Sequence, residues 1–344
     1  MKEYGLVGIG NAIVDILAYR DEKFLEENNL KKGTMSLIDE KEADRLYDLM
    51  GASTECSGGS AANTLAGFSM LGGKSSFIGR VRDDQLGEIF RLSLGKAGTE
   101  FNTPAATNGP ATARCMVVVT EEESSVGAAT KVERTMATYL GAAASIKEED
   151  IDEELIRNAE VLFFEGYLWD DENARKSINK AIAIAEESGC KIAFTLSDPL
   201  CVQRHKDDFL DMVENHIDIL FANEHEIEEL TGEGDIRKVL FAMKDKCETV
   251  VITRSEKGSY VLTEGDIYTI DAVLTDNVFD VTGAGDLFAS GFLYGYVNGF
   301  GPDKSAQLGA MCATEVIQYL GGRPVTKLHL LLENEKFKDI AESA

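Results

Sequence analysis

Residues 280–286 combine three small residues with a carboxylate at each end, in the sequence Asp-Val-Thr-Gly-Ala-Gly-Asp. They lie between a β-like run at 267–274 and an apolar run at 287–297 that predicts a helix. Small residues at a strand-to-helix turn leave backbone N–H groups uncovered, and the positive end of the helix dipole adds to them. The turn is therefore predicted to bind an anion through Gly283, Ala284 and Gly285.

Asp286 places a carboxylate beside this predicted anion site, where it would repel a resting phosphate. A carboxylate in that place can instead take the proton from a hydroxyl that attacks a phosphoryl group. The alternative is a glycine-rich turn in which Asp286 caps the helix, and for an isolated Gly-x-Gly-Asp that alternative is the better one. Matching motifs elsewhere in the chain favour the interpretation of Asp286 as a catalytic base.

Two motifs near the N-terminus predict a site for hydroxyl groups. Gly58 and Gly59 precede a predicted helix and let a ligand approach the backbone closely, while Asn63 can offer an amide to a ligand hydroxyl. Asn11 and Asp15 follow the first predicted strand and share one face of an extended segment. Asp15 stands among apolar neighbours, so its carboxylate needs a partner, and the two O–H groups of a vicinal diol suit it. A capping Asn63 and an Asp15 bonded to backbone amides are the structural alternatives.

Asn223 and Glu226 follow a predicted strand at 217–222. Oxygen ligands at a strand end suit a hydrated Mg²⁺ that is held through water. The alternative is an Asn that caps an acidic helix.

Another predicted strand, at 249–254, ends in a polar turn, which either borders a nucleotide or is an ordinary turn. Arg134, on a strand of the predicted lid, could reach a transferring phosphoryl group when the lid closes. From sequence alone, a surface Arg134 paired with Glu133 is the better interpretation. The candidate nucleotide-binding residues are Asn223, Thr253, Arg254, Gly258, Gly283 and Gly285.

The elements that must position these residues follow from the pattern of apolar runs. From residue 150 onward, short apolar strands alternate with helical segments, which predicts a parallel sheet with helices on both faces. The predicted helices include 40–50, 85–96, 150–158, 172–188 and 206–215. The strand-rich stretches 11–40 and 110–140 interrupt this alternation and are predicted to form a small second sheet, hinged on the main one as a lid; residues 51–60 are predicted as a loop. We expect a single α/β domain over residues 1–344. In open parallel sheets ligands bind at the carboxyl ends of the strands, and the motifs above fall there or in the lid.

Composition narrows the class of protein. The 344 residues include 60 Asp and Glu against 34 Lys and Arg, a formal charge of −26, which disfavours nucleic acid and anionic membranes as partners. The six cysteines form no Cys-x-x-Cys pair and are predicted to be reduced thiols, mostly in the core. The chain shows no signal-peptide pattern and no apolar run of transmembrane length, so we expect a cytoplasmic protein.

Together these motifs resemble those of the ribokinase-like (PfkB) family of carbohydrate and nucleoside kinases, in the family's order and over nearly the whole chain. The pattern at 280–286 is highly specific, and Gly-Gly-x-x-x-Asn at 58–63 is moderately so. The resemblance implies a ribokinase-like α/β fold with a small β-sheet lid, ATP as phosphate donor, Mg²⁺ as cofactor, a small-molecule acceptor, and a monomer or homodimer. By carry-over, Asp286 is the base, residues 283–285 form the anion hole, and Arg134 contacts phosphate from the lid. The implied ligand-holding residues are Asp15, Gly59 and Asn63 for hydroxyls, Asn223 and Glu226 for Mg²⁺, and Asp280 and Thr282 for a monovalent cation such as K⁺.

Within that family the chain looks most similar to adenosine kinases, which implies phosphorylation of the 5′-hydroxyl of adenosine. Residues 10–16 fit their Gly-Asn-x-x-x-Asp-Ile motif, and Gly166–Tyr167 resembles their Gly-Phe, whose ring stacks on the purine. Trp169 is an alternative stacking residue. The small residues at 60–62 and a long polar lid tip at 121–133 keep a kinase of ribose, fructose or a keto-deoxy sugar acid open. A non-catalytic nucleoside or sugar sensor is the third hypothesis.

Overall fold

The structure, a computed structural model, describes residues 2–122 and 131–333. Its strands form two separate sheets. The strands are β1 Tyr4–Ile9, β2 Ile13–Tyr19, β3 Met35–Leu37, β4 Thr54–Gly58, β5 Ser75–Ile78, β6 Ala113–Glu122, β7 Lys131–Tyr139, β8 Ala159–Glu165, β9 Lys191–Thr195, β10 Ile219–Asn223, β11 Thr249–Thr253, β12 Ser259–Thr263 and β13 Asp266–Ile270.

Helices lie between most of these strands, and Asp side chains cap several of them. Asp39, for example, accepts a hydrogen bond from the amide of Glu42 at 2.8 Å, and such caps are worth about 1 kcal/mol each. The helices are α1 Glu22–Glu27, α2 Glu40–Met50, α3 Ser60–Met70, α4 Gln85–Lys96, α5 Glu153–Arg157, α6 Glu172–Ser188, α7 Pro199–Asn215, α8 Glu224–Thr231, α9 Ile236–Met243, α10 Ala284–Val297 and α11 Pro302–Val316.

The larger sheet has the strand order β13-β12-β11-β10-β9-β8-β1-β5 in the described residues. Six neighbouring strands of this sheet run parallel, namely β5, β1, β8, β9, β10 and β11, and β12 and β13 add an antiparallel edge. The central strands are apolar and buried on both faces, as the alternation of strands and helices predicts for a sheet covered by helices. The predicted α/β, ribokinase-like fold class is confirmed.

The smaller sheet has the order β3-β7-β6-β2-β4. The prediction of a loop at 51–60 is wrong, because residues 54–58 form β4 and pair antiparallel with β2, with Cys56 opposite Asp15. The stretch 11–40 also contains α1, so it is less strand-rich than its composition indicates. The predicted polar tip at 121–133 falls largely outside the described residues. The single-domain description and the role of this sheet as a lid stay predictions.

Some helix boundaries differ from the predictions because cap residues override apolar periodicity. Helix α7 begins seven residues before the predicted start at 206, because Asp198 caps it and Pro199 occupies the first turn. The helix predicted at 150–158 is a short 3₁₀ turn followed by α5.

The six cysteines are free, and five of them are buried. Among the described residues, no helix is both long and apolar enough to cross a membrane.

Candidate active site

The turn that precedes α10 has the backbone geometry of an anion site. Gly283 takes a left-handed conformation, with φ 72°, and a Cβ there would lie 2.8 Å from the Cα of Gly322, so only glycine fits. The first i→i−4 bond of the helix runs from the amide of Leu287 to the carbonyl of Gly283, at 2.8 Å. The amides of Gly285 and Asp286 precede that bond, and beyond its chain neighbours and its own helix backbone no described atom lies within 4 Å of a Cβ placed at Gly285. The turn is therefore open on the face where an anion would bind.

Asp286 projects from the first turn of α10 toward the start of α3. Its carboxylate accepts hydrogen bonds from the Ser60 hydroxyl at 2.7 Å and from Nδ2 of Asn63 at 3.0 Å. Burial raises the pKa of Asp286, while the Asn63 and Ser60 bonds and the charge of Arg323 oppose that rise. The two donors hold the carboxylate in one orientation, which a proton acceptor needs.

Close packing of α3 against α10 brings these residues together. A Cβ at Gly67 would lie 2.4 Å from the hydroxyl of Ser290, so a side chain at position 67 would push the helices apart. The same Ser290 hydroxyl donates to the carbonyl of Thr64 at 2.7 Å and ties the helices across this contact.

Asp15 lies on β2, between β6 and the edge strand β4 of the small sheet, and burial raises the pKa of its carboxyl to about 6. A Cβ at Gly58 would lie 2.1 Å from the Asp15 carboxylate, and a Cβ at Gly59 would lie 2.2 Å from the carbonyl of Asn11. Both glycines are thus required by close approach. The charged groups that act on the Asp15 carboxyl are Arg323 and Arg134, which lower its pKa, and Asp286 and Asp280, which raise it.

Arg323 belongs to the same cluster, and the sequence analysis did not single it out. Its Nε donates to Oδ1 of Asn63 at 2.8 Å. This bond fixes the Asn63 amide so that its NH₂ group faces Asp286. The available signal was an arginine directly after two glycines, in the sequence Gly-Gly-Arg-Pro at 321–324.

Asn11 is buried against Glu165, a second residue that the sequence analysis missed. Oε1 of Glu165 accepts from the amide of Asn11 at 3.0 Å and from its Nδ2 at 2.8 Å, and Oε2 accepts from the amide of Ala61 at 2.7 Å. Burial raises the pKa of Glu165 to about 7 against these hydrogen bonds. Glu165 therefore joins the ends of β1 and β8 to the start of α3, and direct substrate binding by Asn11 stays a prediction.

The two candidate stacking residues have different surroundings. Trp169 is buried in the core, where its Nε1 donates to Asp208 at 2.9 Å and its ring lies edge-on to Phe209. Tyr167 is half-buried, and its hydroxyl donates to the carbonyl of Ser197 at 3.4 Å. Because Trp169 is packed in the core, it is not available to stack on a ligand, while stacking by Tyr167 stays a prediction.

The sequence alone favoured a surface ion pair between Arg134 and Glu133, but the structure pairs Arg134 with Asp280. Its Nε lies 2.9 Å from Oδ1 of Asp280, whose side chain is only 2% exposed. The Asp280 carboxylate also accepts from the hydroxyl of Thr282 at 2.6 Å and from the amide of Gly321 at 2.7 Å. Because an arginine already neutralises Asp280, this arrangement does not fit the expected monovalent cation. Asp280 instead joins β7, the anion-site turn and the segment that carries Arg323.

A cavity of about 500 Å³ lies on the other side of the turn, and Gly285 lines it. Three other residues predicted to bind nucleotide line the same cavity, namely Asn223, Thr253 and Gly258. Its wall is otherwise largely apolar, with contributions from Val273, Leu274 and Phe288. An apolar cavity that opens at an anion site has the form of a nucleotide site, with the base in the cavity and the phosphates at the turn.

Arg254 and Gly283, also predicted to bind nucleotide, do not line this cavity. The Nε of Arg254 lies 2.9 Å from the Glu224 carboxylate, and its guanidinium lies 4.7 Å from the centre of the Tyr260 ring. Arg254 is therefore held at the end of β11 by its neighbours.

Asn223 and Glu226 form the capping box of α8, which was the structural alternative. Oε1 of Glu226 accepts from Nδ2 of Asn223 at 2.6 Å, and Oδ1 of Asn223 accepts from the amide of Glu226 at 2.9 Å. Burial raises the pKa of Glu226 to about 7, and the charges of Asp198 and Asp286 add to the rise. The described residues contain no group of three or more His, Cys, Asp or Glu side chains placed to hold a metal directly. Asn223 and Glu226, with the charges of Asp198 and Asp286 within electrostatic reach, offer oxygen atoms that would hold a hydrated Mg²⁺ through water.

Comparisons with known proteins agree with this geometry. Residues 34–327 match the model of the pfkB family of carbohydrate kinases. A probable sugar kinase from Rhizobium etli is 39% identical, with a TM-score of 0.88 over 98% of this chain and 100% of that one. The adenosine kinase from Sinorhizobium meliloti is 41% identical, with a TM-score of 0.87 over 96% of this chain and 99% of that one.

Among curated proteins, a 5-dehydro-2-deoxygluconokinase from Halalkalibacterium halodurans is 26% identical over 331 residues, which cover 92% of this chain and 89% of that protein. The family match includes the anion-site turn, Asn63 and Arg323, while β1 and β2 lie before its first residue. The chain belongs to the pfkB family of carbohydrate kinases and is a phosphotransferase with a hydroxyl acceptor.

Proposed function

We propose that this protein transfers the γ-phosphoryl group of ATP to a hydroxyl of a small polyhydroxylated acceptor, with Asp286 as the base. The observation that carries the proposal is the position of the Asp286 carboxylate. It lies in hydrogen-bond contact with Asn63, within the electrostatic reach of Asp15, and on the turn whose Gly285 lines the apolar cavity. An acceptor held by Asp15 and Asn63 and a nucleotide in the cavity would meet at that carboxylate.

In the proposed reaction, the acceptor oxygen forms a bond to the γ-phosphorus while the bond from that phosphorus to the ADP oxygen breaks. The proton of the hydroxyl passes to Asp286. The amides of the turn stabilise negative charge on the transferring group, and positioning supplies most of the rate. Mg²⁺, when bound near Glu226 and Asp198, would neutralise charge on the phosphates. The small sheet would close over the acceptor as a lid, with Arg134 on its strand β7.

For the acceptor, we propose a sugar as the first candidate. The support is the activity named for curated relatives, 5-dehydro-2-deoxygluconokinase, and the name of the Rhizobium etli protein, a probable sugar kinase. Ribose, fructose and keto-deoxy sugar acids are the compounds to test.

Adenosine is the second candidate, and two observations favour it. The Sinorhizobium meliloti adenosine kinase is 41% identical over nearly the whole chain. Tyr167 also lies, half-buried, directly after the end of β8, where a ring could face a purine. An adenosine acceptor would be phosphorylated at its 5′-hydroxyl.

A substrate panel with ATP consumption as the readout tests the function and separates the two acceptors. The panel contains ribose, fructose, 5-dehydro-2-deoxygluconate and adenosine, each with ATP and Mg²⁺, and the Asp286→Asn protein serves as the background control. Turnover of a sugar supports the first candidate, and turnover of adenosine alone supports the second. Tight binding of a panel compound without ATP consumption would instead indicate a sensor and would contradict the proposed reaction.

A further inference from the structure

Arg323 carries a hydrogen-bond donor that has no partner although it is buried. Its Nε is engaged with Asn63 at 2.8 Å, whereas its Nη2 is shielded from solvent and has no hydrogen-bond partner among the described residues. Burial lowers the pKa of the guanidinium to about 10, so the group is still charged at neutral pH. A buried N–H of a charged group that lacks a partner costs about 1–3 kcal/mol or more, so its position calls for an explanation.

The surroundings of this nitrogen point to the acceptor site. The carboxylates of Asp15 and Asp286 act on the Arg323 guanidinium, and in turn Arg323 lowers the pKa of both carboxyls. Neither carboxylate is within hydrogen-bond distance of Nη2, which has no partner. The guanidinium therefore lies within the electrostatic reach of both carboxylates, and its Nε is bonded to Asn63, which in turn contacts Asp286.

The backbone holds Arg323 in this place firmly. The amide of Gly321 donates to Asp280 at 2.7 Å, and a Cβ at Gly322 would lie 2.6 Å from Nδ2 of Asn63. The two glycines allow the segment to pack directly on the anion-site turn. The unpaired nitrogen is thus on a segment held by tertiary contacts, and its position does not come from a loose side chain.

We propose that Arg323 is a substrate-binding residue whose Nη2 donates a hydrogen bond to the oxygen of an acceptor hydroxyl that Asp15 also binds. This inference rests on the proposed phosphotransfer. A hydroxyl is both a donor and an acceptor, whereas an ionised carboxylate only accepts. Asp15 can accept a hydrogen bond from the hydroxyl but cannot donate one to the hydroxyl oxygen, and Arg323 supplies that missing donor.

The charges favour a neutral hydroxyl over an acidic group as the partner of Nη2. Three carboxylates act on this site, those of Asp15, Asp280 and Asp286, against the guanidiniums of Arg134 and Arg323. Arg134 is already paired with Asp280. A further anion beside Arg323 would meet both remaining carboxylates, which costs free energy in a buried site.

The variant Arg323→Gln tests the inference with kinetics on whichever panel acceptor is turned over. We expect the KM for the acceptor to rise at least 10-fold, while the KM for ATP changes less than 3-fold. We also expect kcat to fall, because Asn63 loses the bond that orients its amide toward Asp286. Arg175→Gln is the matched control, since Arg175 also has an unpartnered buried nitrogen but lies on α6, and it should leave both KM values unchanged.

Acceptor analogues that lack one ring hydroxyl separate substrate contact from a merely structural role. In the unmodified protein, loss of the hydroxyl that Arg323 contacts should lower kcat/KM strongly, and in Arg323→Gln the same loss should matter at least 5-fold less. Equal sensitivity in the two proteins for every hydroxyl, or an unchanged acceptor KM, would overturn the inference. Selective loss of activity on acidic acceptors alone would also overturn it, because it would indicate a carboxylate partner.

Two further measurements keep the test decisive. Thermal shift by ribose and by adenosine reports acceptor binding without turnover, and a shift that is equal in Arg323→Gln and the unmodified protein counts against the inference. If the unmodified protein turns over no acceptor while its thermal shift is lost in the variant, the phosphotransfer proposal fails and the binding role stands. If Arg323→Gln does not fold, Arg323→Lys keeps the charge and should show a raised acceptor KM with partial activity.

Discussion

The acceptor side of the site contains half-buried charged side chains close to one another, whereas the nucleotide side is an apolar cavity with its charged residues paired nearby. On the acceptor side, Asp15, Asp286 and Arg323 lie close enough to shift one another's pKa values. On the nucleotide side, the cavity of about 500 Å³ is largely apolar, and Arg254 is tied to Glu224 beside it. The difference indicates that the acceptor side is organised for chemistry at the expense of stability, while the nucleotide side offers mainly a complementary shape.

The variant Asp286→Asn should have the largest effect. Asn cannot take a proton, so kcat is expected to fall about 10³-fold, in the range typical of general-base catalysis. The Asn side chain can still contact Ser60 and Asn63, so the unfolding midpoint in urea should stay near that of the unmodified protein. Steady-state kinetics and urea unfolding check both statements, and turnover within 10-fold of normal would refute the role of Asp286.

Removing the ion pair of Arg134 with Asp280 measures how much a largely buried charge pair on the acceptor side contributes to the free energy of unfolding. Asp280→Asn leaves the 16% exposed Arg134 side chain without its counter-ion, and breaking such a pair should lower the free energy of unfolding by about 3 kcal/mol. Glu172→Gln is the control, because its pair with Lys176 is exposed and its loss should change the free energy of unfolding far less. Equal losses in the two variants would show that the buried pair has no special weight.

The buried carboxylate of Asp15 is expected to lower the free energy of unfolding when it is ionised. Burial raises its pKa from 3.8 to about 6, so its contribution to stability is present below pH 4 and is lost as the pH rises through 6. Asp15→Asn should therefore be about 3 kcal/mol more stable than the unmodified protein at pH 8 and nearly equal to it near pH 4, with acceptor binding lost at both. Unfolding in urea at the two pH values measures the difference, and a gain that does not depend on pH would exclude this cause.

The smallest effect is expected on the nucleotide side. Leu274 lines the cavity and is 76% exposed, so Leu274→Ala should leave stability unchanged. If a nucleotide base packs on this side chain, the KM for ATP should rise about 5-fold, which corresponds to about 1 kcal/mol of apolar contact. Phe241→Ala, at an 80% exposed position on α9 outside the cavity lining, is the control. An unchanged KM for ATP in Leu274→Ala would place the base elsewhere.

The sequence allowed much of the fold to be predicted because the signals for it are local. The helices at 40–50, 85–96 and 172–188 have the predicted bounds, since each follows an Asp cap and has apolar residues at helical spacing. Strand β4 was not predicted, because its residues Thr-Glu-Cys-Ser-Gly have little strand character and depend on pairing with β2. The start of α7 is also a local signal, because Asp198 is a cap residue and Pro199 stands in the first turn.

The sequence by itself determined the chemistry of the turn at 280–286, because glycine spacing, helix polarity and a terminal carboxylate are properties of a few consecutive residues. Only the tertiary structure decided the partners of those groups. Asn63 and Asp286 are 223 residues apart, and Arg323 and Asn63 are 260 apart. Glu133 is next to Arg134 in the sequence, but consecutive residues of a strand point to opposite faces of the sheet. The fold instead brings Asp280, whose side chain is 2% exposed, within 2.9 Å of Arg134.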